Sequence, residues 1–300
     1  MTWQDVWDVD GVSASWCAAA LDGSLVVGYG ADELVTPASV MKVQVALTAA
    51  SLIGSGELDG MARCRLPVQP RTPGPVGLSL MADEVEMSVR DLLVPMLTVS
   101  DNVAADALIR IVGLEAVNAT TARLGLSRTC ITSDLQSMLE EMAREAGFSD
   151  YAALAAHDPV ADGPPHAAEV RTRLARTSAL DPGRGSRTTP REMAELLRGI
   201  WTNGAGPPAA CARVRSLMAR QLTRQRIASG FGIGYTVAAK SGGLMGIVRN
   251  EVGVVTDPAG AAYAVAIFTR CDPDLPTDLP AIDTAIGRLA RRLVNQLQQT

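Results

Sequence analysis

The order of strand-like and helical segments constrains the fold of this chain more than any other feature. Residues 15–30 form two apolar runs around a turn at 21–24, which predicts a β-hairpin near the N-terminus. Three strand-like runs and an amphipathic helix are predicted near the C-terminus, at 236–243, 246–257, 261–270 and 280–297. Six segments between these regions have helical periodicity, at 38–53, 88–98, 103–112, 134–146, 190–202 and 208–222.

This order predicts an α/β fold with one antiparallel sheet of about five strands, built from both termini and flanked by helices. The sheet lobe would comprise residues 1–36 and 222–300. An all-helical lobe, residues 37–221, would be inserted in it, and a single site would lie between the two lobes.

Two stretches rich in proline and glycine interrupt the helical pattern. Residues 65–88 are predicted as a crossing loop with short strands, and residues 161–170 as a loop within a helical region. Pro95 predicts a kink in its helix, because proline removes one backbone hydrogen bond.

The composition excludes several classes of function. With 47% hydrophobic residues, a net charge of −5 and scattered arginines, the chain is typical of a soluble protein without a nucleic-acid partner. No basic segment precedes an apolar run at the start, and no run approaches the ~18 apolar residues of a membrane span. We therefore expect a cytoplasmic protein without a membrane partner. The five cysteines are widely spaced and odd in number, which predicts reduced thiols rather than disulfides or a metal site.

Lysine is rare in this chain, since Lys42 and Lys240 are the only lysines among 27 basic residues. Pro37 and the apolar stripe after it predict that a helix begins here, with Ser39 and Lys42 on one face of its first turn. Backbone N–H groups at a helix start can stabilise an oxyanion. A buried lysine with a lowered pKa can take the serine proton, whereas arginine cannot. Taken alone, S-x-x-K is more typical of an N-cap serine and a solvated lysine.

Two further patterns change this interpretation. K-S-G-G at 240–243 ends an apolar strand, where glycines let a ligand approach backbone N–H groups. S-D-N at 100–102 lies between two helical segments and by itself predicts a helix N-cap. Each pattern is weak alone, but the three in this order use both lysines and together indicate a nucleophilic serine.

A Ser-His-Asp triad is the competing prediction for a nucleophilic serine. The two histidines, His157 and His166, both lie in the irregular stretch after residue 147. The chain also lacks a G-x-S-x-G elbow, so the lysine-based site is the better prediction.

With S-x-x-K, S-D-N and K-S-G in this order, the chain resembles the class A β-lactamase and penicillin-binding-protein superfamily of serine acyl enzymes. The similarity extends to the helices around S-D-N, to residues 188–197 and to the strand pair at 235–255. It covers most of the chain except about 132–186.

The resemblance implies a role for each matching residue. Ser39 would be the nucleophile, and Lys42 its base or the centre of its proton network. Ser100 would pass a proton to the leaving group. Lys240 would keep Lys42 and Ser100 in useful protonation states, and Asn102 would contact the amide side chain of the substrate.

Backbone and strand positions complete the implied site. The N–H groups of Ser39 and Gly243 would form the oxyanion hole. Ser241, Gly242 and Arg249 would bind the substrate, with Ser241 and Arg249 meeting its carboxylate. For Arg249, an exposed strand charge is an equally good interpretation. The resemblance implies no metal and no cofactor.

The chain departs from the family pattern after S-D-N. Class A β-lactamases carry an E-x-x-L-N glutamate that deacylates the enzyme, and no such pattern occurs at 124–141. Asp134, Glu140 and Glu141 are candidate substitutes, although Asp134 is placed as an N-cap and the glutamates lie within a helix. The longer segment at 132–186 begins as an amphipathic helix, which predicts an ordered helical lid beside the site.

The leading hypothesis is therefore a serine hydrolase that forms an acyl-Ser39 intermediate on a small amide, lactam or ester substrate bearing a carboxylate. The first alternative is a penicillin-binding-type peptidase or acyltransferase with slow deacylation. The second is a non-catalytic protein that keeps the pocket to sense a ligand.

Overall fold

The computed structural model describes residues 7–157, 163–275 and 277–299. The strands are β1 (Val12–Ala20), β2 (Val26–Tyr29), β3 (Arg63–Leu66), β4 (Val85–Ser88), β5 (Thr236–Leu244), β6 (Val248–Thr256) and β7 (Ala262–Cys271). Five of them form one antiparallel sheet in the order β2-β1-β7-β6-β5, while β3 pairs with β4. The predicted five-stranded sheet, built from both ends of the chain, is confirmed.

The helices occupy the middle of the chain and its C-terminal end. They are α1 (Lys42–Ser55), α2 (Val89–Thr98), α3 (Asn102–Val112), α4 (Leu114–Arg123), α5 (Leu135–Glu145), α6 (Tyr151–Ala156), α7 (Pro164–Ala175), α8 (Pro190–Trp201), α9 (Pro208–Met218) and α10 (Leu279–Gln299). This order agrees with the predicted α/β fold.

Two apolar cores lie on the two faces of the main sheet. One face packs against α10 through the stripe that the sequence predicts, and its buried members are Ile282, Ile286, Leu289, Leu293 and Leu297. The other face packs against the inserted helices, with Val252 and Phe268 of the sheet in one cluster with Leu47 and Leu197. Because fully burying such a side chain contributes roughly 1.5–3 kcal/mol, the sheet is held firmly between two helical layers.

The stretch Ala38–Ser55, which contains α1, is long and apolar enough to cross a membrane by length and composition. However, 61% of it is buried inside the protein. Val43 and Leu47 are fully buried in the helical core. This segment is therefore the central helix of the inserted lobe.

Three local features differ from the sequence predictions. Residues 164–170, predicted as a loop, belong to α7, because Pro164 and Pro165 lie in its first turn, where proline is tolerated. Residues 161–162 of that predicted loop lie outside the described residues. The helix predicted at 208–222 ends earlier, at Met218. Helices α4 and α6 have no counterpart among the predicted segments.

The segment 132–186 contains α5, α6 and α7, and its first helix is anchored by Asp106 of α3. The Asp106 carboxylate accepts hydrogen bonds from the backbone N–H groups of Leu135 (2.8 Å) and Gln136 (2.9 Å). A carboxylate beside a helix N-terminus satisfies free N–H groups and complements the helix dipole. The start of α5 is thus fixed by a fully buried charge from another helix.

The C-terminal part of the same segment is anchored by Arg270 of β7. Its guanidinium donates to the carbonyl oxygens of Ala175, the last residue of α7 (2.8 Å), and of Leu180 (2.6 Å). A cation at a helix C-terminus is the favourable counterpart of a carboxylate at an N-terminus. Both ends of the segment are therefore fixed to the body of the protein.

Candidate active site

Ser39 lies in a 3-10 helical turn, Ala38–Met41, that leads directly into α1. Ala38 adopts a left-handed conformation with φ 48°, which non-glycine residues rarely occupy. The amide of Asn250 on β6 anchors the chain just before this turn by donating to the carbonyl oxygen of Thr36 at 2.9 Å. The position of Ser39 is thus set by both the helix and the sheet.

Strand β5 lies against the turn that carries Ser39, and Gly242 is the point of closest approach. A Cβ atom at Gly242 would lie 2.8 Å from the carbonyl oxygen of Pro37 and 3.1 Å from the backbone nitrogen of Val40. Both neighbours are backbone atoms that cannot give way easily. Only glycine fits at this position, and its absence of a side chain brings the K-S-G strand next to Ser39.

Lys42, at the start of α1, is fully buried. Its Nζ donates hydrogen bonds to the carbonyl oxygen of Ser100 (2.5 Å), to Asn102 Oδ1 (2.7 Å) and to Ser100 Oγ (3.3 Å). These contacts join the first sequence pattern to the second across 58 to 60 positions.

Ser100 is held in a left-handed conformation with φ 63° at the turn between α2 and α3. Asp101, the N-cap of α3, fixes the turn by accepting from the backbone N–H of Ala104 (2.8 Å), as the sequence predicts. The Ser100 hydroxyl also accepts a hydrogen bond from Lys240 Nζ at 2.9 Å. The three sequence patterns therefore meet at one hydroxyl group, between the two lysines of the chain.

Burial governs the protonation of both lysines. Desolvation lowers the pKa of Lys42 to about 7, although the nearby carboxylates of Asp101 and Asp106 oppose the shift. Desolvation, reinforced by the charge of Lys42, holds the pKa of Lys240 well below its usual range. A lysine with a pKa near neutrality can accept a proton at physiological pH, which is the property required of a general base.

Asn102, the first residue of α3, is held on both sides of its amide. Its Oδ1 accepts from Lys42, and its Nδ2 donates to the carbonyl oxygen of Pro73 at 2.7 Å. Asn102 also lines the cavity in front of Ser39. Its predicted contact with a substrate amide stays a prediction.

Strand β5 presents its outer edge to the site. The backbone N–H of Ser241 donates to the side-chain oxygen of Gln221, so it points away from β6. In an antiparallel sheet, residues two apart on a strand direct their N–H groups to the same side. The N–H of Gly243 therefore points to the same edge, and Gly243 and Ser39 line one cavity, as the predicted oxyanion hole requires.

Arg249 was expected to face the cavity and bind a substrate carboxylate, but its side chain contacts another part of the protein. Its guanidinium forms a two-point ion pair with Asp283 of α10, with Nε–Oδ1 and Nη2–Oδ2 distances of 2.6 and 2.5 Å. The side chain is 20% exposed, so Arg249 is not an exposed strand charge either. It is absent from the described residues that line the cavity in front of Ser39.

A buried polar network contacts β5 and β6, and the sequence analysis did not predict it. Glu251 accepts from Gln221 Nε2 (3.0 Å) and from the backbone N–H of Ile227 (2.6 Å), and burial raises the pKa of its carboxyl group. Arg226 pairs with Asp283 at 2.8 Å and donates to the carbonyl oxygen of Gly242 at 3.0 Å. Charged residues inside apolar runs, such as Glu251 in its strand, are the sequence signal that could have revealed this network.

The cavity in front of Ser39 has a volume of about 210 Å³. One side is formed by the predicted site residues Ser39, Asn102 and Gly243. The other side comes from the segment 132–186, whose contributing residues include Thr132, Ser133, Leu135, Met138, Leu139, Glu141, Ala179, Arg184 and Ser186. This segment therefore forms a wall of the cavity, in agreement with the predicted helical lid.

The structure separates the three carboxylates considered as deacylating groups. Asp134 is the N-cap of α5 and accepts from the N–H of Ser137 (2.8 Å), as the sequence predicts. Glu140 accepts from the backbone N–H of Tyr151 at 3.1 Å. Of the three, Glu141 alone lines the cavity.

Known proteins resemble this chain over almost its full length. The model of the Beta-lactamase enzyme family matches residues 4–297. The chain is 30% identical over 303 residues to the β-lactamase regulatory protein BlaB of Streptomyces cacaoi, covering 96% of this chain and 94% of that protein.

Solved structures with similar folds include a β-lactamase from Sphaerobacter thermophilus, with a TM-score of 0.76, 23% identity, and coverage of 100% of this chain and 99% of that one. PBP-A has a TM-score of 0.75 at 21% identity, with coverage of 99% of this chain and 94% of that one. Together with the family match, these similarities show that the chain belongs to the β-lactamase enzyme family.

Proposed function

We propose that this protein is a serine hydrolase that forms an acyl-enzyme at Ser39 and transfers the acyl group to water. Its substrate would be a small amide, β-lactam or ester that bears a carboxylate. The observation that carries the proposal is the pair of fully buried lysines that share the Ser100 hydroxyl beside the Ser39 turn.

The contacts of the Ser100 hydroxyl with Lys42 and Lys240 support a proton relay for the acylation step. Ser39 Oγ would attack the carbonyl carbon, and its proton would pass to neutral Lys42. The N–H groups of Ser39 and Gly243 would stabilise the oxyanion. When the scissile C–N or C–O bond breaks, Ser100 would donate its proton to the leaving atom and regain one from the lysine pair.

Both lysines contribute to this path because each has one physical property that arginine lacks. Burial lowers the pKa of Lys42 to about 7 and holds the pKa of Lys240 well below its usual range, and the charge of Lys42 adds to the shift of Lys240. The Ser100 hydroxyl, within 3.3 Å of one Nζ and 2.9 Å of the other, connects them. A non-catalytic pocket would have no need of such a pair.

A second candidate function is ligand sensing through an acyl adduct that is hydrolysed slowly. It is favoured by the regulatory name of the 30% identical relative and by the lack of an E-x-x-L-N glutamate. A penicillin-binding-type peptidase or acyltransferase would share this slow step. Each of these functions keeps acylation at Ser39. They differ only in how, and how fast, the acyl group leaves Ser39.

One experiment separates these functions. The protein is mixed with a β-lactam or with an activated ester, and its intact mass and the released product are followed over time. Ser39→Ala is the test variant, and Ser133→Ala, which removes another cavity hydroxyl, is the matched control.

A transient mass increase with continued product release would support the hydrolase. A persistent adduct would support the sensor, peptidase or acyltransferase. The absence of any adduct that depends on Ser39, with both probes, would contradict all acyl-enzyme functions and leave a non-covalent binding protein.

A further inference from the structure

The wall of the cavity contributed by residues 132–186 has an apolar surface and an excess of negatively charged side chains. Leu135, Met138, Leu139 and Ala179 supply the apolar surface. These four side chains fit an acyl chain of several carbons, because small-molecule pockets bind apolar parts of a ligand against apolar side chains and orient it with a few polar groups.

Glu141 introduces a negative charge at this wall. It is the only acidic residue among the described residues that line the cavity, and its side chain is exposed rather than paired within the core. It lies one turn after Met138 on α5, so it faces the same side as the apolar lining.

Arg184 is the basic residue among the described lining residues, but carboxylates already surround it. Its Nη2 donates to Glu145 Oε1 at 2.6 Å, and its Nε lies 4.0 Å from Asp181 Oδ2. The positive charge of Arg184 is therefore offset by two carboxylates, and Glu141 remains in excess. Among Glu141, Arg184, Glu145 and Asp181, carboxylates outnumber the guanidinium by three to one, which favours a cation beside Glu141.

We propose that Glu141 selects substrates whose acyl chain ends in a cationic amine or quaternary ammonium group. This inference rests on the proposed function, since the acyl chain must first reach Ser39. The chain would lie along the apolar wall with its charged end next to the Glu141 carboxylate. Because Glu141 is exposed, we expect a moderate preference of about three- to tenfold in kcat/KM.

The test uses two isosteric activated esters. The p-nitrophenyl ester of 6-(trimethylammonio)hexanoic acid carries the cation, and the p-nitrophenyl ester of 7,7-dimethyloctanoic acid replaces nitrogen with carbon. Hydrolysis of both is measured with the wild-type protein, with Glu141→Gln and with Glu140→Gln. The last variant makes the same charge change one residue away, at a side chain outside the cavity lining.

We expect the wild-type protein to favour the cationic ester, Glu141→Gln to lose the preference, and Glu140→Gln to keep it. High salt should weaken the preference, because an exposed charge is screened. An equal preference in the wild-type protein and in Glu141→Gln would overturn the inference. So would equal slowing of both esters in Glu141→Gln, which would assign Glu141 to water activation instead.

The neutral ester distinguishes this inference from the proposed function. Ser39-dependent turnover of the neutral ester without a cation preference would leave the proposed function intact and contradict the role of Glu141. If neither ester acylates Ser39, the inference fails, whereas the proposed function fails only if the β-lactam also gives no adduct that depends on Ser39.

Discussion

The proposed catalytic centre, which reaches the cavity through Ser39, Asn102 and Gly243, and the segment 132–186 on the other side of the cavity are built in opposite ways. In the centre, Lys42 and Lys240 are fully buried, and their hydrogen bonds converge on Ser100. In the segment, the charged groups at the cavity, Glu141 and Arg184, are exposed or partly exposed. Burial changes the pKa values of the first set, whereas the second set remains accessible to solvent and ligand.

If the proposed function holds, this difference places the groups for reactivity and those for selectivity in physically separate regions. In the proposed mechanism the desolvated lysines supply proton transfer, since their pKa values depend on exclusion of water. Exposed groups on this wall, whose anchors include Asp106 and Arg270, can change without disturbing those pKa values. Four predictions test how complete this separation is.

The largest effect is expected from Lys42→Arg. Arginine keeps the positive charge but does not release its proton, so acylation of Ser39 should fall by roughly 10²–10⁴-fold. Intact mass after mixing with a β-lactam or activated ester measures the rate. Lys42→Met, which removes the charge at similar length, should fail equally, and thermal melting would show whether both variants fold. Near wild-type acylation by Lys42→Arg would exclude Lys42 as the base.

Gly242→Ala tests the contact between β5 and the Ser39 turn. The added Cβ would meet the carbonyl oxygen of Pro37 at 2.8 Å, so the strand must shift. A shift near 1 Å can reduce catalysis by about 100-fold. Gly243→Ala is the matched control, because its Cβ would lie at an ordinary 3.5 Å from the carbonyl oxygen of Val248. Equal acylation rates for the two variants would show that the close approach has no role.

The pH dependence of acylation should follow the protonation of Lys42. Its pKa in the folded protein is lowered from 10.5 to about 7, and only the neutral form accepts the Ser39 proton. The rate should therefore be constant well above pH 7 and fall about tenfold per pH unit below it. Single-turnover measurements from pH 5.5 to 9 would test this, and a rate that stays flat down to pH 5.5 would contradict the assignment.

The smallest effect on acylation is expected from Asp106→Asn. This variant also tests most directly whether the buried lysines and the segment 132–186 are independent. Loss of the charged acceptor should weaken the attachment of α5 by about 1–3 kcal/mol, measured as faster hydrogen exchange in α5. The Asp106 charge also raises the pKa of Lys42, so its removal should move the acylation midpoint to lower pH. If α5 loosens and the midpoint stays unchanged, the two regions are independent. A midpoint shift shows that Asp106 couples them.

The three patterns that meet at Ser100 could be identified in the sequence because each of them is local. Ser39 and Lys42 share one turn, Ser100 to Asn102 form another, and K-S-G-G lies on one strand. Rare lysine in an arginine-rich chain makes these patterns stand out. The main sheet and α10 were predictable for a similar reason, since β1, β6 and β7 are strand-like runs of 9 or 10 residues and α10 keeps one apolar stripe over 21 residues.

The features that the sequence did not predict depend on contacts between residues far apart in the chain. Asp106 meets Leu135 across 29 positions, and Arg270 meets Leu180 across 90, so no short pattern signals either anchor. The start of α7 was missed because Pro164 and Pro165 are more often signs of a loop. Arg249 was assigned by resemblance to an arginine of class A enzymes, but in this structure Asp283 of α10 determines where its guanidinium points.

Strand β5 lies at one edge of the main sheet, and edge strands can pair with other chains. Here Arg224 donates to the carbonyl oxygen of Val237 (2.9 Å), and Gln221 accepts the N–H of Ser241. These two side chains occupy positions that a neighbouring strand would otherwise use. The protein can therefore leave the Gly243 end of β5 accessible without offering a long template for aggregation, which should keep it soluble at high concentration.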